Sequence, residues 1–341
     1  MTLAIAQPFA PMEAMSREKL PEGTEWQYEP KWDGFRCLAF RDGDQVDLQS
    51  KSEQKLARYF PEVVEHLLAI KTAQFVIDGE IVVDRDGALS FDDLLQRIHP
   101  AESRIRKLAK ETPAKLIVFD LLVDDRGHSL VEKTLEERRP LLNQFAAQYF
   151  DDKFIVLSPY TRDSKKAHEW LRGGAGALDG IVAKRVDLPY QSGNRDGMVK
   201  VKNLRTADCV IGGFRYGAKE REVGSLLLGM YGEDGLLHHI GFCSGLKAAE
   251  KPALTARLEK LVEKPGFTGR APGGPSRWST ERSAEWEPLR PELVVEVQYD
   301  HFSGGRVRHG TRLLRWRPDK SPKQCLLKDV KVSGTRPEMA S

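Results

Sequence analysis

Six consecutive residues, Lys31-Trp32-Asp33-Gly34-Phe35-Arg36, constrain this chain more than any others, because one short turn must hold a lysine, an acid, a glycine and an arginine. They are reached through Tyr28-Glu29-Pro30. A lysine is a nucleophile only as the neutral amine, a form its ordinary pKa makes scarce at neutral pH. Nearby positive charge or desolvation lowers that pKa, and lysines become covalent catalysts in this way. Gly34 is expected to let the backbone approach a ligand closely, and Arg36 offers a planar fork for a phosphate or a sugar. The ordinary alternative is a strand end with a tight turn and solvated charges, and the six residues alone do not decide between the two.

A chain of 341 residues is long enough for two domains, each with its own core. With 40% hydrophobic and 30% charged residues it reads as globular, neither disordered nor fibrous. It contains no apolar run of bilayer length, and residues 1–12 lack the basic start of a signal peptide, so no membrane association is expected. The four cysteines (Cys37, Cys209, Cys243 and Cys325) are scattered without C-x-x-C spacing, which argues against a zinc knuckle or a disulfide framework and fits a reducing cytoplasm. The net charge of +3 conceals an asymmetry: residues 1–203 sum to −3 and residues 204–341 to +6. Between 303 and 328 stand Arg306, Arg308, Arg312, Arg315, Arg317, Lys320, Lys323 and Lys328 against the single acid Asp319. Val307, Leu313, Leu314 and Trp316 interleave them, so the segment is expected to be folded and to face a polyanion.

The first 200 residues alternate strand-like and helix-like stretches. Residues 36–50 read as two strands around Asp42-Gly43. Residues 60–70 have helical period, with Val63, Val64, Leu67 and Leu68 on one side. Residues 75–83, broken at Asp78-Gly79, and 116–123 read as strands, 135–147 and 164–172 as helices, and 180–184 and 198–202 as short strands. The expected result is an α+β architecture of antiparallel sheets with helices outside. After Asn203 the strands at 210–216, 225–231 and 236–242 are closely spaced, followed by a helix at 248–264, a Gly/Pro/Ser-rich loop at 265–275 and strands at 293–299 and 313–317. That pattern fits a small OB-type β-barrel. The expected division is 1–203, 204–332 and a polar tail at 333–341.

Further segments carry chemistry-bearing residues. Phe75-Val76-Ile77-Asp78-Gly79-Glu80 is either a bulged strand with exposed acids or a site with Glu80 on a ribose or metal. Phe119-Asp120-Leu121-Leu122 is by default a buried strand, though Phe119 could stack on a purine. In Asp179-Gly180-Ile181-Val182-Ala183-Lys184, Asp179 precedes a strand and could bind magnesium through oxygen. Lys200 and Lys202 alternate with Val199 and Val201, so both ammoniums point to one face and suit a phosphate. Arg317-Pro318-Asp319-Lys320 ends the basic segment.

Taken in order, K-x-D-G-x-R, D-G-E, F-D-L-L, D-G-I-V-A-K, V-K-V-K and R-x-D-K resemble the motif series of covalent nucleotidyltransferases. More narrowly, the chain resembles the small bacterial ATP-dependent DNA ligases related to end-joining repair. Residues 199–209 and the run from Arg308 to Lys320 tighten the likeness. The resemblance implies an antiparallel-sheet, ATP-grasp-like adenylyltransferase domain followed by an OB-fold domain. It implies that Lys31 takes AMP from ATP as a phosphoramidate, that AMP passes to the 5′-phosphate at a nick, and that the 3′-hydroxyl displaces it. Glu29 would read the adenine amino group and Phe119 would stack on the base. Arg36, Glu80 and Lys51 would serve the ribose or a phosphate, Lys200 and Lys202 the phosphates, and Glu80 and Asp179 a metal, Mg²⁺ or Mn²⁺. Arg317 and Lys320 would reach the triphosphate when the barrel domain closes about a hinge near 203–207. Together with Mg²⁺, the cations Lys200, Lys202 and Arg36 are expected to lower the pKa of Lys31.

Three positions depart from the family pattern: Asp179 stands for the usual Glu, Lys51 for Arg, and Met198 for Trp. The expected enzyme is a cytoplasmic, nucleoid-associated monomer acting on nicked double-stranded DNA, with a DNA end-bridging repair protein as a partner. No additional DNA-binding, polymerase or end-processing module is expected. The rival readings are an mRNA guanylyltransferase, an RNA ligase, and a non-catalytic nucleic-acid-binding barrel.

Overall fold

Period-two alternation builds the first unit, which runs to Asn203. The computed structural model describes residues 3–85, 87–173, 178–217, 221–273, 285–308 and 310–330. Its strands are β1 (Trp26–Lys31), β2 (Phe35–Asp42), β3 (Gln45–Ser50), β4 (Gln74–Arg85), β5 (Ala114–Val123), β6 (Ile155–Leu157), β7 (Gly180–Arg185) and β8 (Met198–Lys202). One sheet has the order Met15–Ser16, β8, β7, β1, and the other β3, β2, β4, β5, β6. Pairing is antiparallel except at Met15–Ser16 with β8 and at β5 with β6. Helices α1 (Pro61–Ala69) and α4 (Leu135–Tyr149) cover the second sheet.

Strand β4 shows how the alternation separates core from site. Phe75, Ile77, Ile81 and Val83 enter the core that includes Val63 and Leu67 of α1 and Leu142 and Phe145 of α4. The intervening positions Val76, Asp78, Glu80 and Val82 face the other way. The strand is continuous through Asp78-Gly79; the register shift there comes from β5, where Phe119 is the extra residue, so β4 is not broken. On α1, Val63 and Leu67 are buried, but Leu68 is 38% exposed and leaves the apolar side assigned to it.

Two helices were not read from the sequence, α2 (Phe91–Gln96) and α3 (Glu102–Glu111), whereas the expected helix 164–172 is present as α5 (Ser164–Gly173). The first carries a legible start signal, because the Ser90 side chain accepts from the Asp93 backbone N–H.

The second unit begins at Leu204. Its main strands are β9 (Arg205–Tyr216), β10 (Val223–Tyr231), β11 (Leu237–Cys243), β12 (Val294–Tyr299) and β13 (Arg312–Trp316), in the order β11, β10, β9, β12, β13. The outer strands meet where Cys243 bridges Thr311, which closes the sheet into a barrel. Cys209, Ile211, Leu226, Leu228, Ile240, Val295 and Val297 fill it. The expected helix 248–264 is shorter: a 3-10 turn at Ala248–Glu250 leads into α6 (Lys251–Glu259). Beyond it Arg290 N–H donates to Leu261 and Glu263 N–H to Pro288, so these residues exchange helical bonds for cross-chain ones. The tail at 333–341, the end of the Gly/Pro/Ser-rich loop and His309 lie outside the described residues.

Candidate active site

A cavity of about 250 Å³ draws its walls from both sheets of the first unit. Glu29 and Lys31 of β1, Val182 and Lys184 of β7, and Met198 and Lys200 of β8 line it from one sheet. Arg36 of β2, Glu80 of β4 and Phe119 of β5 line it from the other, and Lys51 and Glu13 are also in the wall. The residue pairs 29/31, 182/184 and 198/200 each lie two apart, so alternation alone places both members on one face. Seven of the sequence-selected residues therefore share one cavity: Glu29, Lys31, Arg36, Lys51, Glu80, Phe119 and Lys200.

Gly34 has a packing task that its spacing does not show. A Cβ there would stand 2.2 Å from the Ile81 carbonyl oxygen and 2.9 Å from Glu80 Cγ. The glycine thus admits β4 against the turn. At Gly180, φ is +148° and a Cβ would lie 2.1 Å from the Val201 oxygen, so a side chain after Asp179 is excluded on two grounds.

Lys31 Nζ donates to Asp179 Oδ2 at 2.5 Å. Burial alone would lower the pKa of Lys31, but Asp179, with Glu80 and Asp33, outweighs it and raises the pKa above the ordinary lysine value. This is opposite to the lowering expected from the sequence. The lowered lysine is Lys200, through burial and then through Lys31, Lys51, Lys202 and Arg195. In the resting protein Lys31 is therefore a protonated ammonium held by Asp179. It must lose that proton before it can attack.

A chemical test follows. In metal-free protein an amine-directed acylating reagent should modify Lys31 only above the pH at which an ordinary lysine reacts. In Asp179→Asn the onset should move to lower pH, because burial then faces only the weaker pull of Glu80 and Asp33. Peptide-resolved mass spectrometry against pH reads both curves, and coincident curves would refute the assignment.

Glu29 is 2% exposed and fixed through both oxygens, one accepting from Gln27 Nε2 at 2.8 Å and the other paired with Lys184 Nζ at 2.7 Å. Lys184 also lies 4.6 Å from the Phe119 ring centroid, and the Arg36 guanidinium lies 4.7 Å from it. Arg36 is held by Asp78 through Nε and Nη2, each at 2.6 Å, and Tyr190 donates to the same carboxylate at 2.6 Å. Burial pushes the Glu80 carboxyl up to about 7, against the pull of Lys31 and Arg36. Lys51 pairs with Glu13 at 3.1 Å, and Arg195 pairs with the same acid.

Two carboxylates, Glu80 and Asp179, act on Lys31 from nearby, and among the described residues no three His, Cys, Asp or Glu side chains converge. That donor set fits a hard cation of the Mg²⁺ type, which uses one or two carboxylates and completes its shell with water and substrate phosphate. Asp179 itself does not line the cavity, and Lys202 is on the lysine face of β8 but outside the lining.

In the second unit, Arg317 Nη1 lies 2.9 Å from Asp208 Oδ1 and Lys320 Nζ lies 2.8 Å from Asp208 Oδ2. Arg315 pairs with Glu296 at 2.5 Å. The basic segment is therefore more neutralised than its sequence suggests, because its counter-charges come from β9 and β12. Arg270 extends the basic surface from outside that segment, donating to the carbonyls of His239 and Gly304. Burial, then Arg215, Arg270 and Arg306, lower the His239 pKa to about 4.

Sequence reasoning assigned no role to Lys184, Asp78 or Asp208. Lys184 had a signal, since it lies two residues from Val182 in a strand. Asp78 had the same kind of signal, two residues before Glu80, and Asp208 is recognisable only through partners distant in the chain.

Two family models match: the ATP dependent DNA ligase domain over residues 4–202 and the ATP dependent DNA ligase C terminal region over 219–320. DNA ligase C1 of Mycolicibacterium smegmatis is 45% identical over 338 residues, covering 95% of this chain and 94% of its own length. DNA ligase C of Mycobacterium tuberculosis is 42% identical over 340 residues, with 95% and 94% covered. Among solved structures, a mycobacterial DNA ligase D complexed with ATP and MES aligns at TM-score 0.50 and 28% identity, covering 93% of this chain and 98% of that one.

Proposed function

This chain belongs to the ATP-dependent DNA ligase family, and from that membership we propose that Lys31 is the residue that carries AMP between ATP and a nicked DNA. The observation that supports this most directly is the convergence of Lys31, Glu29, Arg36, Glu80, Phe119 and Lys200 on one cavity. Once its ammonium has lost a proton to solvent, the Lys31 lone pair forms a bond to the α-phosphorus, the bond from that phosphorus to the bridging oxygen of the β-phosphate breaks, pyrophosphate leaves with that electron pair, and the nitrogen releases a second proton to solvent. The DNA 5′-phosphate oxygen then displaces Lys31 from phosphorus. Finally the 3′-hydroxyl attacks the 5′-phosphorus and AMP leaves.

The polar and aromatic groups of the site divide the tasks. Glu29, an acceptor while ionised, receives the adenine amino group, and Lys184 and Gln27 fix its position. Phe119 offers the base a stacking face. Arg36 and Glu80 hold the ribose, while Lys200, Lys202 and Lys51 receive phosphate charge. Glu80 and Asp179 would hold Mg²⁺, which would neutralise phosphate charge when bound. Arg317 and Lys320 belong to the loading step, where the leaving pyrophosphate carries most charge.

The reading is tested by nick sealing with ATP on nicked DNA, alongside GTP and nicked RNA. ATP-dependent sealing of the DNA supports it, and labelling by GTP in place of ATP would favour a guanylyltransferase.

We further propose a repair role, supported by the likeness to end-joining ligases, with recruitment by an end-bridging protein. DNA would be gripped through the basic surface that includes Arg270, Arg306 and Arg312. Phosphate contacts release counterions, so affinity for nicked DNA should fall at least about tenfold between 50 and 200 mM monovalent salt. Salt-titrated fluorescence anisotropy measures this, and a flat profile would contradict phosphate-dominated binding.

A further inference from the structure

Asp208 lies on β9, opposite Glu296 of β12, beside the fully buried Cys209. It is the common acceptor of two cations: Arg317 Nη1 at 2.9 Å and Lys320 Nζ at 2.8 Å. The Arg317 side chain uses its other edge for Asp319, with Nε at 3.0 Å and Nη2 at 2.9 Å. The two carboxylates differ in setting, since the Asp208 side chain is 14% exposed and that of Asp319 is 64% exposed. The inner acid is therefore fixed and the outer one is exchangeable.

We infer that Asp208 is the positioning residue that sets Arg317 and Lys320 as one preorganised pair for the loading of Lys31 with AMP. The inference rests on the proposed role of Arg317 and Lys320 in that step. Arginine and lysine side chains each lose considerable rotamer freedom when ordered on a ligand. One carboxylate on a rigid strand removes that freedom beforehand for both. It does so through the Nη1 edge, leaving the Nε/Nη2 edge that now meets Asp319 for a competing phosphate. The main chain supports the same geometry: Arg317 N–H donates to Val294 O at 2.8 Å and Lys320 N–H to Arg317 O at 3.2 Å.

The test separates the loading step from sealing. Asp208→Asn keeps the side-chain shape and removes the charge, and Asp208→Glu keeps the charge and lengthens the reach. In the full-length enzyme, Asp208→Asn should slow AMP loading from ATP by about 10- to 100-fold, the scale of a charged hydrogen bond. Sealing of a pre-adenylylated nick without ATP should stay within about twofold. Asp208→Glu should recover part of the loading rate. Loading at the wild-type rate in Asp208→Asn would overturn the inference. Equal loss of loading and sealing would also overturn it, by making Asp208 a folding residue. A parallel Arg317→Ala, Lys320→Ala double variant isolates the underlying reading: if it loads AMP normally, the assignment of those two residues fails, whatever Asp208 does.

Discussion

Lys31→Ala should abolish ATP-dependent nick sealing, lowering the rate on the order of 10⁴-fold or more, the scale expected when a covalent nucleophile is removed. No other cavity residue can substitute. Lys51, Lys184 and Lys200 are the other amines in the wall, but Lys51 is paired with Glu13, Lys184 is buried in its pair with Glu29, and Lys200 leaves β8 rather than the turn. The variant should still close a pre-adenylylated nick, because that step uses no lysine–AMP bond. A rate assay on both substrates distinguishes loss of the nucleophile from loss of the fold. ATP-dependent sealing near the wild-type rate would refute the mechanism.

Asp78→Ala should be the most damaging substitution that touches no reacting atom. Asp78 is fully buried and accepts three hydrogen bonds, two from Arg36 and one from Tyr190. Removing one partner of a buried pair leaves an uncompensated charge and costs about 3–5 kcal/mol. For a unit of this size that corresponds to a fall in Tm on the order of 10 °C. Arg36 would also lose the restraint that holds it over Phe119, so ATP loading should fall even where the protein stays folded. Asp78→Asn keeps part of the hydrogen bonding and should lie between. Calorimetry and AMP-loading rates read the two effects, and a Tm shift under about 2 °C would show that Arg36 finds another counter-charge.

Much of the site was legible in the sequence because strands impose a period of two. The placement of Glu29 beside Lys31, and of Asp78 with Glu80 on one face of β4, follows from spacing once each stretch is read as a strand. The order of the motifs then pointed to the family. What spacing could not show were pairings across large sequence separations. The Lys31 pKa moves upward because Asp179, 148 residues away, lies 2.5 Å from its ammonium. Lysine density near Lys31 suggested the opposite direction, but proximity of one carboxylate outweighs several more distant cations. The packing role of Gly34 was hidden for a related reason: the demand for a missing side chain is local, while the backbone that needs the space belongs to β4. Likewise, the charge run at 303–328 was legible, but its neutralisation by Asp208 and Glu296 was not.

Whether Lys31 carries AMP is read by peptide mapping after incubation with ATP and Mg²⁺. One AMP adduct is expected, on the peptide containing Lys31, and it should disappear when nicked DNA is added as sealed product forms. An adduct on any other residue in actively sealing enzyme, or a Lys31 adduct that nicked DNA does not discharge, would contradict that role.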